Sequence, residues 1–267
     1  MEREFQFYIV PTPIGNMDDM TFRAVEVLKN VDLIACEDTR TTQNILNRYN
    51  IKTKTVSYHK FNEKSRIDEF LELLKSGKKI ALVSDAGTPM ICDPGSVLLK
   101  VLRDNDIQTT ALAGACAVST FLSQVPRDDE VYTFVGFFPK TEQKSKDILT
   151  DYAKTNLVFY ESPNRILSTL ALIKEVRGNT KIALGRELTK LFEEVIIDNV
   201  DNVISHYKDG IKGEIVCMVY PSEEVGFDIK SKINALKSKG FKSKEISTIL
   251  STLYDLNKND IYKLTTE

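Results

Sequence analysis

A loop rich in acidic, glycine and proline residues follows a short apolar run in the first half of the chain. Residues 80–83 (Ile-Ala-Leu-Val) predict a strand buried on both faces. The next eleven residues, 85–95, hold two Asp, two Gly and two Pro, so the strand ends in a long irregular loop. At the carboxyl end of a parallel strand, Asp85 can accept a hydrogen bond from a ligand. The simpler interpretation is a tight turn with Asp85 as a local cap, and this stretch alone leaves both open.

Other predicted strands end in similar residues. Glu37 with Asp38, Cys116, Glu161 and Glu187 each follow an apolar run. Each acid by itself fits a helix cap or a surface ion pair. Together, gathered by two α/β domains around one cleft, they indicate a ligand site.

Several common sites are excluded. The chain contains no GxGxxG or GxxxxGK[ST] loop for a dinucleotide or ATP, and no GxSxG nucleophile elbow. Its four cysteines form no CxxC pair, and it has only two histidines, so no metal site is expected.

Composition narrows the class of protein further. The formal net charge of −2 gives no global attraction to a polyanion, so a nucleic-acid partner would need a local basic patch. No apolar run approaches the roughly 20 residues of a membrane span. The first four residues, Met-Glu-Arg-Glu, show no secretory signal. A cytoplasmic protein with free thiols and no membrane contact is expected.

The order of elements predicts an α/β fold. Strands and helices alternate through residues 7–122, which is typical of a doubly wound, largely parallel sheet. A polar stretch at 126–130 suggests a boundary, followed by a mixed α/β domain with some antiparallel strands. In it, residues 140–146 are interpreted as a basic segment, and in the first domain a helix is expected at 43–49. The predicted domains are 1–125, 126–224 and 225–267.

The third segment is expected to be helical throughout. From residue 228 it holds eight Lys against five acidic residues. A helix-turn-helix arrangement would present these lysines to a phosphate backbone. A solvated, lysine-rich face on a small helical appendage explains the composition equally well.

Eight motifs occur in a distinctive order and spacing. They are residues 13–16 (PIGN), 37–40 (EDTR), 57–59 (SYH), 84–89 (SDAGTP), 93–95 (DPG), 159–163 (FYESP), 186–190 (RELTK) and 212–214 (KGE). From about Phe7 to Tyr220 the chain resembles the small-subunit ribosomal RNA methyltransferase I family of the tetrapyrrole methylase superfamily. The tail also looks like that family's C-terminal helix-turn-helix module.

The resemblance implies a homodimer of two α/β domains that bind S-adenosylmethionine in the cleft between them. The implied reaction is methylation of the ribose 2′-hydroxyl of a decoding-centre cytidine in 16S rRNA, either naked or in the assembled small ribosomal subunit. No metal is implied. Two alternatives are a tetrapyrrole methylase of the same superfamily and a non-catalytic RNA-binding assembly factor.

The resemblance also implies residue roles. The implied catalytic residues are Glu161, Arg186, Glu187 and Lys190. The implied cofactor-binding residues are Pro13, Asp85, Gly87, Thr88, Cys116, Ala117, Tyr160 and Leu188. The implied substrate-binding residues are Glu37, Asp38, Arg40, Arg165 and Lys212.

The chain departs from the family pattern at two places. Ala113-Gly114-Ala115 replaces a Pro-Gly-Pro, which should leave that loop less rigid. Asn164 stands where the family tends to have His, and an amide cannot act as a base near neutral pH.

Overall fold

A computed structural model describes residues 5–222, 229–254 and 256–266. The predicted boundary between 224 and 225 lies outside these residues. In the described part of the chain, two five-stranded sheets are followed by a group of helices. No helix in these ranges combines the length and apolar character needed to cross a membrane.

The first sheet is parallel throughout, as the alternating pattern predicts. Its strands are β1 (Phe7–Ile9), β2 (Leu33–Cys36), β3 (Thr55–Ser57), β4 (Ile80–Leu82) and β5 (Thr109–Ala111), in the order β3-β2-β4-β1-β5. A 3₁₀ turn (Met17–Asp19) precedes the first helix. The helices are α1 (Phe22–Asn30), α2 (Thr39–Arg48), α3 (Glu63–Lys75), α4 (Ser96–Asp104) and α5 (Ala117–Leu122).

Burial on both faces explains the apolar run in β4. Ile80 and Leu82 pack into one apolar cluster, and Ala81 and Val83 pack into the cluster on the opposite face. Consecutive side chains of a strand point to opposite faces, so a strand covered by helices on both sides has no polar positions. Every parallel strand therefore ends at the same edge of the sheet, where the predicted loops meet.

The second sheet is mixed. It contains β6 (Tyr132–Phe137), β7 (Asn156–Glu161), β8 (Lys181–Arg186), β9 (Glu194–Asn199) and β10 (Ile215–Val219), in the order β6-β7-β10-β8-β9. Only the β6–β7 pair is parallel, and the other pairs are antiparallel, which confirms the predicted pairing. Helices α6 (Glu142–Asp151), α7 (Ile166–Arg177) and α8 (Val200–His206) cover one face.

The other face of the second sheet is covered by the first half of the chain. Val118, Phe121 and Leu122 of α5 pack with Ala183 and Val216 in one apolar cluster. A Cβ atom at Gly185 would come within 2.6 Å of the Phe121 ring, so the glycine lets α5 lie directly on β8. This helix thus precedes the predicted boundary in sequence but packs on the sheet that follows it.

The tail forms three helices, α9 (Ile229–Ser238), α10 (Ser243–Tyr254) and α11 (Lys258–Thr266). Ile233, Ile246, Leu250 and Ile261 form a small apolar cluster of their own. The expected helical segment is therefore present, with its own buried core.

One expectation for local structure was incomplete and one was wrong. Within the basic segment 140–146, residues 142–146 begin α6, a helix that was not predicted because it buries only Ser145 and Leu149, which leaves little apolar periodicity to detect. Helix α2 begins at Thr39 and not near residue 43, because the side chain of Asp38 caps it by accepting a hydrogen bond from Arg40 N.

Candidate active site between the two sheets

A cleft of about 440 Å³ separates the carboxyl edge of the first sheet from the second sheet. From the first half it is lined by Ile14, residues 85–88, 91–93, Cys116 and Ala117. From the second half it is lined by Phe137, residues 160–163, Leu188 and residues 213–216. Seven of the eight predicted cofactor-binding residues therefore lie on its walls. Pro13 is buried beside Ile14, which lines the cleft.

The loop after β4 is held from three sides. Thr12 and Gly87 exchange backbone hydrogen bonds of 2.9 and 3.0 Å, which fixes the loop against the segment after β1. The Thr88 hydroxyl donates to the carbonyl of Ala115 at 2.8 Å. Asp85 Oδ1 accepts from the backbone N–H of Asp38 at 3.0 Å. Gly87 has a φ of +80°, a conformation that glycine adopts without strain. These contacts give the cleft one preorganised wall.

Three carboxyl groups lie close together at this wall. Burial, together with the neighbouring Glu37 and Asp85 carboxylates, raises the pKa of Asp93 from 3.8 to about 6. Asp85 and Asp93 both line the cleft. A cationic ligand would relieve this repulsion, so the wall is electrostatically suited to a positive charge.

Glu161 is buried and fully engaged. It is only 4% exposed, and its Oε1 accepts from Ser162 N at 2.7 Å. Its Oε2 accepts from the Thr169 hydroxyl at 2.8 Å and lies 3.2 Å from Arg165 Nη2. The carboxylate thus fixes the 161–165 turn, part of which lines the cleft, and has little capacity left for a ligand.

Arg186, Glu187 and Lys190 lie beside the cleft, where none is a lining residue. Lys190 Nζ is 2.8 Å from Glu187 Oε1 and 2.9 Å from Glu214 Oε2, and we call these three residues the Lys190 ion-pair network. Glu187 Oε1 also accepts from Glu214 N at 2.9 Å, and the Lys190 contact lowers the pKa of Glu187.

This loop also touches the first half of the chain. Thr189 Oγ1 accepts from Asn16 N at 3.1 Å, and a Cβ at Gly15 would meet Lys190 within 2.4 Å. Glu187 and Thr189 have φ values of +50° and +65°, which non-glycine residues seldom adopt. Strain of this kind persists where surrounding contacts hold it, and here it keeps the loop against both halves.

The predicted substrate-binding residues are spread around the rim. Asp38 and Arg40 form a bidentate pair with distances of 3.1 and 2.7 Å, and Arg40 holds the pKa of Asp38 at about 2. Arg165 donates to the carbonyls of Phe138 and Pro139 as well as contacting Glu161. Glu37 and Lys212 are exposed. None of the five is among the lining residues.

Several lining residues were not predicted to have a role. Asp93 belonged to a noted motif, but nothing in the sequence indicated that it would be partly buried beside two other acids. Phe137 could not be identified from the sequence, because an exposed aromatic residue in an edge strand has no distinctive spacing. Within the described ranges no group of three His, Cys, Asp or Glu residues is placed to hold a metal ion.

A family model and similar solved structures define the class of protein to which this chain belongs. The family described as Tetrapyrrole (Corrin/Porphyrin) Methylases matches residues 6–204. Among solved structures, diphthine synthase aligns with a TM-score of 0.66 at 11% identity, covering 80% of this chain and 89% of that one. Uroporphyrin-III-C-methyltransferase from Thermus thermophilus aligns at 0.55 and 16% identity, covering 80% and 94%. These structures share the fold of the two sheets.

More similar relatives define the family within this class. Ribosomal RNA small subunit methyltransferase I from Bacillus subtilis (strain 168) is 40% identical, covering 96% of this chain and 92% of the relative. The Rickettsia prowazekii (strain Madrid E) protein of the same name is 37% identical over 96% and 92%. That of Hydrogenobaculum sp. (strain Y04AAS1) is 43% identical over 80% of this chain and 95% of its own. The chain belongs to the ribosomal RNA small subunit methyltransferase I family.

The cofactor of this family is S-adenosylmethionine, and the cleft fits it. The acidic wall suits a sulfonium and an amine, while Ile14, Ala117 and Leu188 offer apolar surface for a base. Gly87 allows the loop to lie close to Ile14, because a Cβ atom at residue 87 would come within 3.2 Å of the Ile14 side chain.

Proposed function

We propose that this protein methylates the ribose 2′-hydroxyl of a decoding-centre cytidine in 16S rRNA, with S-adenosylmethionine as methyl donor. The observation that carries the proposal is the similarity to ribosomal RNA methyltransferases along nearly the whole chain, including the tail. The acidic, partly apolar cleft supports binding of S-adenosylmethionine. The exposed basic residues at its rim support binding of RNA.

The cofactor is proposed to bind the residues that wall the cleft. Asp85 is placed to accept a hydrogen bond from a hydroxyl or amine at the carboxyl end of β4. Backbone groups of Gly87, Thr88, Cys116 and Ala117 lie on the same wall, and Tyr160 and Leu188 face them from the second half. Pro13 acts indirectly by fixing Ile14. When bound, S-adenosylmethionine supplies a methyl group on a positively charged sulfur.

Asp93 is the proposed proton acceptor for the ribose hydroxyl. It lines the cleft, and its pKa of about 6 leaves it mostly ionised yet basic at neutral pH. Glu161, one of the catalytic residues that the resemblance implies, has both oxygens occupied, so it is better suited to position the turn through Arg165 and Thr169. Holding the hydroxyl in line accounts for much of the acceleration.

The RNA is proposed to lie across the rim. Arg186 donates to Glu194 Oε2 at 3.0 Å and to the Lys212 carbonyl at 3.3 Å, which leaves further guanidinium N–H groups for a phosphate. Lys212 adds exposed positive charge, and Arg40, although also exposed, is paired with Asp38. Glu37 and Asp38 can accept from ribose hydroxyls, while Glu187 and Lys190 hold the loop that carries Arg186. The protein is proposed to act as a cytoplasmic homodimer on rRNA or the small subunit.

A methyl-transfer assay tests the proposal directly. Small ribosomal subunits that lack the modification, and naked 16S rRNA, are incubated with the protein and methyl-labelled S-adenosylmethionine. Label in rRNA, at a cytidine whose 3′ phosphodiester resists alkaline hydrolysis, is the expected result. Label at a nucleotide whose 3′ phosphodiester is cleaved by alkali would show that the methyl group is on a base, and would contradict the assignment to the ribose.

Two further measurements address the other candidate functions. Transfer to uroporphyrinogen III without transfer to RNA would favour a tetrapyrrole methylase. Absence of S-adenosylmethionine binding in calorimetry, with RNA binding retained, would favour a non-catalytic assembly factor. Sedimentation of the full chain tests the homodimer.

A further inference from the structure

Phe61 is an aromatic side chain held out in solvent. It is 94% exposed, at the tip of the loop between β3 and α3. The loop is fixed by Asn62, whose side chain accepts from His59 N at 2.8 Å and donates to the Ser57 carbonyl at 3.1 Å. Phe61 N donates to His59 Nδ1 at 3.2 Å. The exposed ring is therefore displayed on an ordered turn.

This turn lies at the edge of the sheet that carries the cleft. Strand β3 is parallel to β2 and β4, so its carboxyl end lies at the same edge as Asp85. Glu63 Oε1 accepts from the Tyr58 hydroxyl at 2.6 Å and from Gly95 N at 3.1 Å. One carboxylate thus ties the Phe61 turn to the loop that contains Asp93. With strands about 4.8 Å apart, two strand spacings put the end of β3, from which this turn continues, roughly 10 Å from the end of β4.

The charge beside Phe61 is positive. Lys60 and Lys64 are exposed on either side of it, while Arg66, further along on α3, is paired with Glu69 at 2.5 Å. Glu63, the acid among them, is occupied by Tyr58 and Gly95. A phenylalanine with the same exposure, Phe22, follows the acidic residues Asp18 and Asp19. An exposed aromatic with flanking lysines matches the chemistry that binds single-stranded nucleic acid.

We propose that Phe61 stacks on an unpaired base of the RNA substrate near the target nucleotide, with Lys60 and Lys64 on the adjoining phosphates. This inference rests on the proposed function, because it takes RNA to be the substrate of the cleft. Phe61 is then a substrate-positioning residue. Stacking on an aromatic side chain tolerates any base, so Phe61 holds the strand without selecting its sequence.

Fluorescence of a short single-stranded RNA that carries 2-aminopurine tests the stacking. In the full-length protein, Phe61→Ala should weaken binding about 5- to 150-fold and abolish quenching of the probe. Phe61→Trp should restore both, and Phe61→Leu, which keeps apolar bulk without an aromatic face, should not. Phe22→Ala is the matched control and should bind as wild type. Lys60→Ala should reduce the magnitude of the slope of the logarithm of the binding constant against the logarithm of the salt concentration by about one.

The outcomes separate this inference from the proposed function. Wild-type RNA binding and quenching in Phe61→Ala would overturn the stacking, as would equal binding by the Leu and Trp variants. If Phe61→Ala instead converts a dimer to a monomer in sedimentation, the ring covers a second copy of the chain and the proposal is wrong. Failure of the wild-type protein to methylate rRNA would overturn the proposed function while leaving these binding results interpretable. Calorimetry with S-adenosylmethionine checks that every variant remains folded.

Discussion

Asp93 gives the cleft a group that titrates just below neutral pH. If it accepts the ribose proton, the single-turnover rate at saturating cofactor should fall as pH drops through about 6. Asp93→Asn should lower the rate about 10²- to 10⁴-fold and remove that limb of the profile, since an amide does not titrate. A folded Asn variant that keeps both rate and profile would assign the proton to another acceptor.

Asp93 also affects the stability of the fold, and its effect on stability has the opposite pH dependence to its effect on the rate. The folded pKa of Asp93 is raised above its unfolded value, so the folded state binds a proton more readily. The contribution of Asp93 to the free energy of unfolding is fully present below about pH 4 and is lost as pH rises through about 6. Asp93→Asn should therefore raise the Tm at pH 8 relative to wild type and not at pH 4. Asp68→Asn, at an exposed position of α3, serves as the control.

Asp85 combines a structural contact with a proposed ligand contact. Asp85→Ala should weaken S-adenosylmethionine binding by about 1.5–3 kcal/mol, as expected for one charged hydrogen bond. Asp85→Asn keeps an acceptor for Asp38 N and isolates the loss of charge. Calorimetry on both variants measures how much cofactor affinity depends on the charge of Asp85 and how much on its hydrogen-bond acceptor. Unchanged affinity in both would make Asp85 a cap for its loop and nothing more.

Among the elements, α5 connects the two sheets most directly. A methyl group at residue 185 would lie 2.6 Å from the Phe121 ring, so Gly185→Ala should destabilise the protein by about 1–3 kcal/mol. Because α5 begins at Ala117 on the cleft wall, cofactor affinity should fall as well. Phe121→Leu in the same chain should recover part of the loss in chemical denaturation. Additive losses in the double variant would show that the two sites do not communicate.

The loop of residues 186–190 carries the second element-scale prediction. Arg186→Ala and Glu187→Gln should each lower methyl transfer at saturating cofactor, about 10-fold or more for a lost charged contact, with cofactor affinity nearly unchanged. Glu187→Gln also weakens the Lys190 ion-pair network and should loosen the loop. Arg103→Ala on α4 is the control. Transfer rates equal to wild type would leave this loop a purely structural contact between the two halves.

Pattern and spacing predicted elements well where they are apolar and local. The buried run of β4 and the turn residues after it identified both a strand and one wall of the cleft. Helix α6 was missed because its buried face consists of little more than Ser145 and Leu149. The occupied state of Glu161 and the raised pKa of Asp93 depend on contacts across loops, and no periodicity encodes such contacts.

At the scale of the whole molecule, the tail is the separable part. Its buried cluster consists of tail residues only, and the Hydrogenobaculum relative is shorter than this chain although it matches over 95% of its length. Removing residues 228–267 should therefore leave S-adenosylmethionine affinity unchanged and weaken binding to the small subunit. Calorimetry and subunit co-sedimentation measure the two effects. Full binding and methylation by the truncated, folded protein would make the tail dispensable for substrate recognition.

The packing of α5 on the second sheet also constrains how the chain emerges from the ribosome. Its apolar residues Val118, Phe121 and Leu122 are synthesised roughly 100 residues before β10 is complete. At typical translation speeds of 5–20 residues per second, this helix waits roughly 5–20 s for the surface that covers it. During that interval the nascent first half displays an uncovered apolar helix, which is the kind of segment that chaperones bind.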